Sequence, residues 1–180
     1  MNSKQRLADL EKILDVEYKK LRNFQYRIAH TSSAAEKFDL EVRIEHESLP
    51  MIRKYEREYW NILAKEAPSC EVIEKEAHNA IVEVVTEVEL IQIQPNKYSD
   101  ELMQKLQEIL DKLNEPQTPA AAKLKAALPL VPFIMNYELE LDTEILLKRV
   151  FERMRQLFKN AIDEKEKKIT NSSFSRNVKT

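Results

Sequence analysis

The sequence predicts an all-α protein: an N-terminal antiparallel, coiled-coil-like helical hairpin, 1–67, followed by a small helical bundle, 68–168, and a flexible tail, 169–180. One short extended or β segment is allowed for near 133–141. Three observations carry this expectation. Apolar residues at the N-terminus recur at alternating three- and four-residue steps. The breaks between periodic segments coincide with prolines or with Ser/Thr positions suited to helix caps. The 180 residues include seven prolines and no glycine, where average usage predicts roughly 13 glycines.

The first helix is read over 4–29. Leu7, Leu10, Leu14, Leu21, Phe24 and Ile28 form an a/d-type stripe, with Glu17 at the missing seam position and charged residues elsewhere. His30 to Ser33 interrupt it. Ser33 and Glu36 match the S-x-x-E capping box, so a second helix starts near Ala34. Its apolar positions are Phe38, Val42, Leu49, Ile52, Tyr59 and Leu63, with Tyr55, Trp60 and Ile62 beside them as further core candidates. Pro50 lies inside this pattern and predicts a kink near His46 to Pro50, because it removes a helical donor. The short connection folds the two helices back on each other over roughly 40 Å.

Pro68-Ser69 marks the next break. Two periods compete from Cys70 to Gln94. Ile81, Val84, Val85, Val88 and Ile91 fit a helix, whereas Thr86, Val88 and Leu90 alternating with Glu87 and Glu89 fit a strand. The length without a turn signal favours a helix. Ser99 caps a helix over 99–114 with the stripe Leu102, Met103, Leu106, Ile109, Leu110 and Leu113. Thr118-Pro119 reads as an N-cap followed by proline at the first helical position, starting a short helix from Ala120 to about Leu128. From Phe133 to Leu141 apolar and polar residues alternate, as in a strand that pairs with 84–93 or as an extended or helical connector. The last helix, 143–167, carries Leu146, Leu147, Val150, Phe151, Met154, Leu157, Phe158 and Ile162 on one face. With glycine absent, Asn96 and Asn114 are the candidates to end helices in its place.

Composition excludes several function classes. Gly-rich phosphate cradles, dinucleotide turns and the GxSxG elbow all need glycine, so none can form in its standard arrangement. The net charge of −2 conceals an uneven distribution: 13 basic and 12 acidic residues over 1–69, 6 and 14 over 70–143, and 10 and 5 over 144–180. Such an acidic middle and basic end either neutralise each other within the chain or steer head-to-tail association. The lone Cys70, the polar opening residues and the lack of a long apolar run point to a cytoplasmic protein.

No catalytic, cofactor or metal constellation is found. The three histidines, His30, His46 and His78, form no HExxH or Glu-x-x-His pair, and Glu74/His78 reads as an ordinary helix-surface pair. Cys70 and the serines at 32–33 and 172–175 have no base and orienter in pattern. The basic 144–180 segment keeps Phe151 and Phe158 on its apolar face, which argues against nucleic acid. The apolar run 126–135 has two readings, a buried connector or a membrane-entering wedge flanked by Lys123 and Lys125.

The stretch Asp111-Lys-Leu-Asn-Glu-Pro116-Gln-Thr-Pro-Ala-Ala-Ala-Lys-Leu-Lys125, continuing through Leu128-Pro-Leu-Val-Pro-Phe133 and Tyr137-Glu-Leu-Glu-Leu-Asp-Thr143, resembles helical modules of cyanobacteria. Those modules occur alone or joined to STAND-type NTPases and caspase-like proteases of conflict systems. The segment Thr31-Ser32-Ser33-Ala-Ala-Glu-Lys-Phe38 resembles the tip of a helical hairpin in such proteins. One departure is Gln117, where the resembling modules carry glycine. The resemblance implies a non-enzymatic adaptor or a bundle that perturbs membranes, and it assigns no catalytic residue.

The expectation is therefore a non-enzymatic interaction module with no cofactor and no small-molecule substrate. It associates with a protein partner or with itself through Leu7, Leu10, Leu14, Leu21, Ile28, Phe38, Leu49 and Ile52. The alternative is a membrane-perturbing effector using 120–135, through Leu128, Leu130, Val131, Phe133 and Ile134.

Overall fold

The computed structural model describes residues 2–94, 96–135 and 141–177. They form an all-α protein, and no strand occurs among the described residues. The chain divides into two compact units, Met1–Tyr59 and Trp60–Thr180.

In the N-terminal unit, α1 spans Ser3–His30, and the Asn2 side chain caps it by accepting the Gln5 amide at 2.7 Å. Helix α2, Ala34–Arg43, begins where the cap signal places it, with Ser33 Oγ accepting the Glu36 amide at 3.2 Å. Only half of the capping box forms. The Glu36 carboxylate does not return to Ser33 but accepts from the Thr31 hydroxyl at 2.7 Å and from Arg27 at 2.8 Å. Charge-assisted bonds of this kind outcompete a neutral amide, and Thr31 Oγ1 accepts the Ser33 amide instead.

The kink expected near Pro50 is a single π turn, Ile44–Ser48, leading into α3, Leu49–Glu66. The Leu49 amide reaches back five residues to the Ile44 carbonyl. One inserted residue shifts the hydrogen-bond ladder at the point where proline lacks its donor, so the helix continues.

Polar links order the unit. Arg6 donates twice to Glu58, at 2.6 and 2.9 Å; Tyr59 donates to Glu11 at 2.8 Å; Tyr18 donates to Glu56 at 3.1 Å. Arg43 lies 4.8 Å from the Phe24 ring centroid. From Tyr18–Glu56 through Phe24–Arg43 to Arg27–Glu36 the contacts close towards the turn at Thr31–Ser33.

The hydrogen bonds from Arg6 hold the Glu58 carboxyl below the ordinary glutamate range. Thr31 first, then Arg27, do the same for Glu36. A depressed carboxylate stabilises fully above its unfolded pKa of about 4.3 and loses that contribution as pH falls through its folded value. The N-terminal unit is thus expected to become modestly less stable on acidification below about pH 4. Circular dichroism should show a shallower acid limb in Glu58→Gln and Glu36→Gln than in the parent.

In the C-terminal unit, Pro68 lies in the first turn of a 3₁₀ segment, Ala67–Ser69. Helix α4, Glu74–Gln92, packs against α5, Asp100–Leu113, α6, Ala120–Ala127, and the last helix. Its core includes Trp60, Leu63, Val84, Leu102, Leu106, Ile109, Phe151 and Phe158. The Trp60 and Phe151 rings meet edge to face, with centroids 6.1 Å apart and an interplanar angle of 76°. The Ser99 hydroxyl caps α5 as expected, accepting the Leu102 amide at 3.3 Å.

Thr118 is not the N-cap of α6. Pro119 holds that position without a side-chain cap, and Glu74 of α4 takes over the role. Its two carboxylate oxygens accept the Ala120 and Ala121 amides at 2.9 and 3.1 Å. Beyond α6, Pro129 and Pro132 do not end the helical path. Each enters the first turn of a new segment, the 3₁₀ turn Leu128–Leu130 and α7, Val131–Ile134, where a missing N–H costs nothing.

Two further expectations are corrected. Phe133 and Ile134 belong to α7 and Leu141 opens the last helix, α8, Leu141–Asn177, so these parts of 133–141 are not extended; residues 136–140 lie outside the described residues. Helix α8 also passes Lys167 and includes 169–177, where the sequence predicts a flexible tail. Side-chain hydroxyls of Thr170, Ser172, Ser173 and Ser175 donate to carbonyls three or four residues back, which keeps these polar residues compatible with a helix.

Without glycine, left-handed backbone falls to other residues. Asn96, at φ 64°, and Gln117, at φ 62°, take it. Asn114 does not, since α5 ends there at φ −98°. Asparagine tolerates this region, but glutamine has no local compensation, and an αL residue with a Cβ costs about 1–2 kcal/mol. Glycine adds about 0.4–1 kcal/mol of unfolded-chain entropy. Gln117→Gly is therefore expected to stabilise the chain by about 0.5–1 kcal/mol, seen as a higher guanidinium midpoint at unchanged m-value.

Candidate functional site

Helix α4 has two faces of different fate. Ala77, Ala80, Ile81, Val84, Val88 and Ile91 are buried, the three- and four-residue spacing of a helix packed among neighbours. On the opposite side Val82, Leu90 and Ile93 remain 51%, 50% and 72% exposed. Thr86 lies between them, exposed, its hydroxyl donating to the Val82 carbonyl at 2.7 Å and so spent within the helix. Lys75, His78 and Asn79 flank the strip towards the start of α4, and Glu89 towards its end, all exposed. An apolar line on the outside of a helix already packed against three others is a surface with binding energy in reserve.

Sequence reasoning did not find this strip, although a signal was present. The alternation Thr86, Val88, Leu90 resembled a strand because apolar residues occur on both faces of the helix. Val88 points into the core, whereas Thr86 and Leu90 lie on the outer side.

Electrostatics place the remaining charges of α4 in structural roles. Glu83 pairs with Arg153 at 3.7 Å and Glu87 with Arg149 at 3.5 Å, joining α4 to α8. Lys165 meets Glu66 at 3.2 Å and Lys168 meets Glu71 at 2.7 Å. Glu71, Glu83 and Glu87 of the acidic middle thus pair with the basic end within the C-terminal unit. Exposed pairs of this kind contribute little energy individually.

Other candidate chemistry is also accounted for. Glu74 caps α6, and no group of three or more His, Cys, Asp or Glu able to hold a metal occurs among the described residues. Cys70 is buried, and burial pushes its thiol above the ordinary value, which disfavours the nucleophilic thiolate. Phe151 and Phe158 are core residues, leaving no aromatics on the basic face of α8 from that pair.

The expected association stripe is mostly internal. Leu7, Leu10, Leu14, Leu21, Leu49 and Ile52 are buried within the chain, and Ile28 is half-buried. Phe38 is 69% exposed, while Leu40 occupies the buried position of α2. Of the apolar 126–135 run, Leu128, Val131 and Ile134 are buried and Leu130 is half-buried. Phe133 is 54% exposed, with Lys105 Nζ 5.8 Å from its ring centroid. No helix among the described residues is long and apolar enough to cross a membrane.

Comparison with family models, curated proteins and solved structures finds no match to this chain.

Proposed function

We propose that this chain is a non-enzymatic helical association module, working as an adaptor through the outer face of α4. The observation that supports it is the line of exposed apolar residues Val82, Leu90 and Ile93 on a helix whose other sides are packed. Packing a second helix there removes apolar area from water at about 25 cal/mol per Å². The resemblance of 111–143 to modules joined to STAND-type NTPases and caspase-like proteases supports reading such an adaptor as part of a bacterial conflict or cell-death pathway. Its partners are proteins or further copies of itself, and nucleic acid and small molecules have no part in the reading.

Chemical cross-linking in cells, read by mass spectrometry, tests it. Cross-links from Lys75 to an identified second polypeptide, lost in Leu90→Glu and Ile93→Glu, support the reading. If every cross-link from α4 stays within one chain, the reading falls. The membrane alternative has its own outcome. The chain is expected to release no dye from anionic or zwitterionic vesicles, because insertion would remove Leu128, Val131 and Ile134 from the core. Release that Phe133→Asp abolishes would instead establish the membrane-perturbing effector.

A further inference from the structure

We infer that the outer face of α4 takes a second copy of this chain, in an antiparallel α4–α4 pair related by a two-fold axis. The inference rests on the association reading above and names its partner.

The geometry begins with spacing. Lys75, Asn79, Val82, Thr86, Glu89 and Ile93 follow one another at steps of four, three, four, three and four. That is the alternation of an a/d seam, and all six residues are exposed, as is Leu90 beside them. The buried face of α4 is a different set, so the seam is not the one that the C-terminal unit uses for its own core. The strip from Val82 to Ile93 extends about 16 Å at 1.5 Å per residue.

Charge chooses the direction. Lys75 stands at one end of the seam and Glu89 towards the other, and neither has an ion-pair partner among the described residues. A parallel pair sets Lys75 against Lys75 and Glu89 against Glu89. An antiparallel pair brings Lys75 and Asn79 of each copy alongside Glu89 and Ile93 of the other, twice over. Val82 and Thr86 of the two copies then meet at the centre. An isologous surface of this kind closes after two copies. One helix pair of this length falls below the roughly 1,200 Å² of a standard stable interface, which predicts weak, reversible pairing.

Sedimentation equilibrium of the full chain tests the pairing, over concentrations up to about 1 mM. The expected result is a mass that rises with concentration from 21.2 kDa towards twice that value. Lys75→Glu and Glu89→Lys each replace two attractive juxtapositions by two repulsive ones and should weaken pairing by about tenfold. The combined Lys75→Glu/Glu89→Lys chain restores opposite charges across the pair and should return to the parent value. Both substitutions are on exposed positions, and circular dichroism verifies that each variant keeps its helicity. A chain that stays at 21.2 kDa throughout, or pairing indifferent to the single charge reversals, overturns the inference. If the chain is monomeric yet α4 still cross-links to a different protein, the self-pairing is lost and the association reading stands. If it is monomeric and α4 cross-links to nothing, both are lost.

Discussion

Replacing Phe151 by alanine lowers the stability of the C-terminal unit by about 3–5 kcal/mol. Phe151 is fully buried in α8 and presents its ring edge to face with Trp60 at 6.1 Å. Truncation removes the transfer energy of the ring and leaves a cavity beside an indole that cannot fill it, since close-packed interiors relax only in part. The edge-to-face contact adds about 0.5–1.5 kcal/mol beyond area. Trp60 is the only tryptophan, so its fluorescence reads the contact directly. The parent should show a cooperative shift of the emission with guanidinium, and Phe151→Ala should move the midpoint down by the stated energy. Phe151→Leu, which refills much of the volume, should recover more than half. An unchanged midpoint in Phe151→Ala would contradict the packing described for α8.

The second large effect is expected at Glu74. Its carboxylate is the cap that α6 lacks locally, bonding the Ala120 and Ala121 amides across 46 and 47 residues of sequence. The N-terminus of a helix carries unpaired donors and positive dipole charge, so an anion there satisfies both. Glu74→Ala should cost about 1–2 kcal/mol, the upper half of the range for a lost N-cap. Glu74→Gln should recover only part of this, because one carboxamide position donates where the helix needs an acceptor. Amide exchange gives the specific signature: Ala120 and Ala121 should lose protection in Glu74→Ala, while the α5 core amides respond only through global stability.

Much of the fold was legible because it is local. Ser33 and Ser99 start their helices through a hydroxyl three residues from the amide it accepts. Pro50 disturbs the helix within a turn of itself, although the disturbance is a π turn that carries the helix on. Asn96 takes the left-handed backbone that suits glycine, although in the turn beyond α4 and not at its end, which is Gln92 capped by Ile93. What was misread depended on distant groups. Thr118 looked like a cap because Glu74 is invisible from within 118–121. The alternation at 133–141 leaves a strand and an extended or helical connector equally open, because periodicity over a few residues does not distinguish an extended segment from helical turns punctuated by prolines.

The candidate surface was less legible than the fold. The N-terminal stripe was selected for its regularity, yet regular apolar spacing marks the residues a chain buries for itself as readily as those it offers to another. Leu10, Leu14 and Leu21 are accordingly buried. The outer strip of α4 had the weaker pattern, mixed with lysine, asparagine and glutamate.

By itself the sequence determined the all-α class and most helix starts. It also determined the exclusion of glycine-dependent sites, since each of these follows from a residue and its neighbours within one or two turns. The tertiary structure alone decided which side of α4 became core and which stayed outside, that Glu74 would cap α6, and that Glu83 and Glu87 of α4 would meet Arg153 and Arg149 of α8. The physical reason is common to all three. Burial, capping and ion pairing are set by what another element brings within a few Å, and local periodicity carries no record of which element that will be.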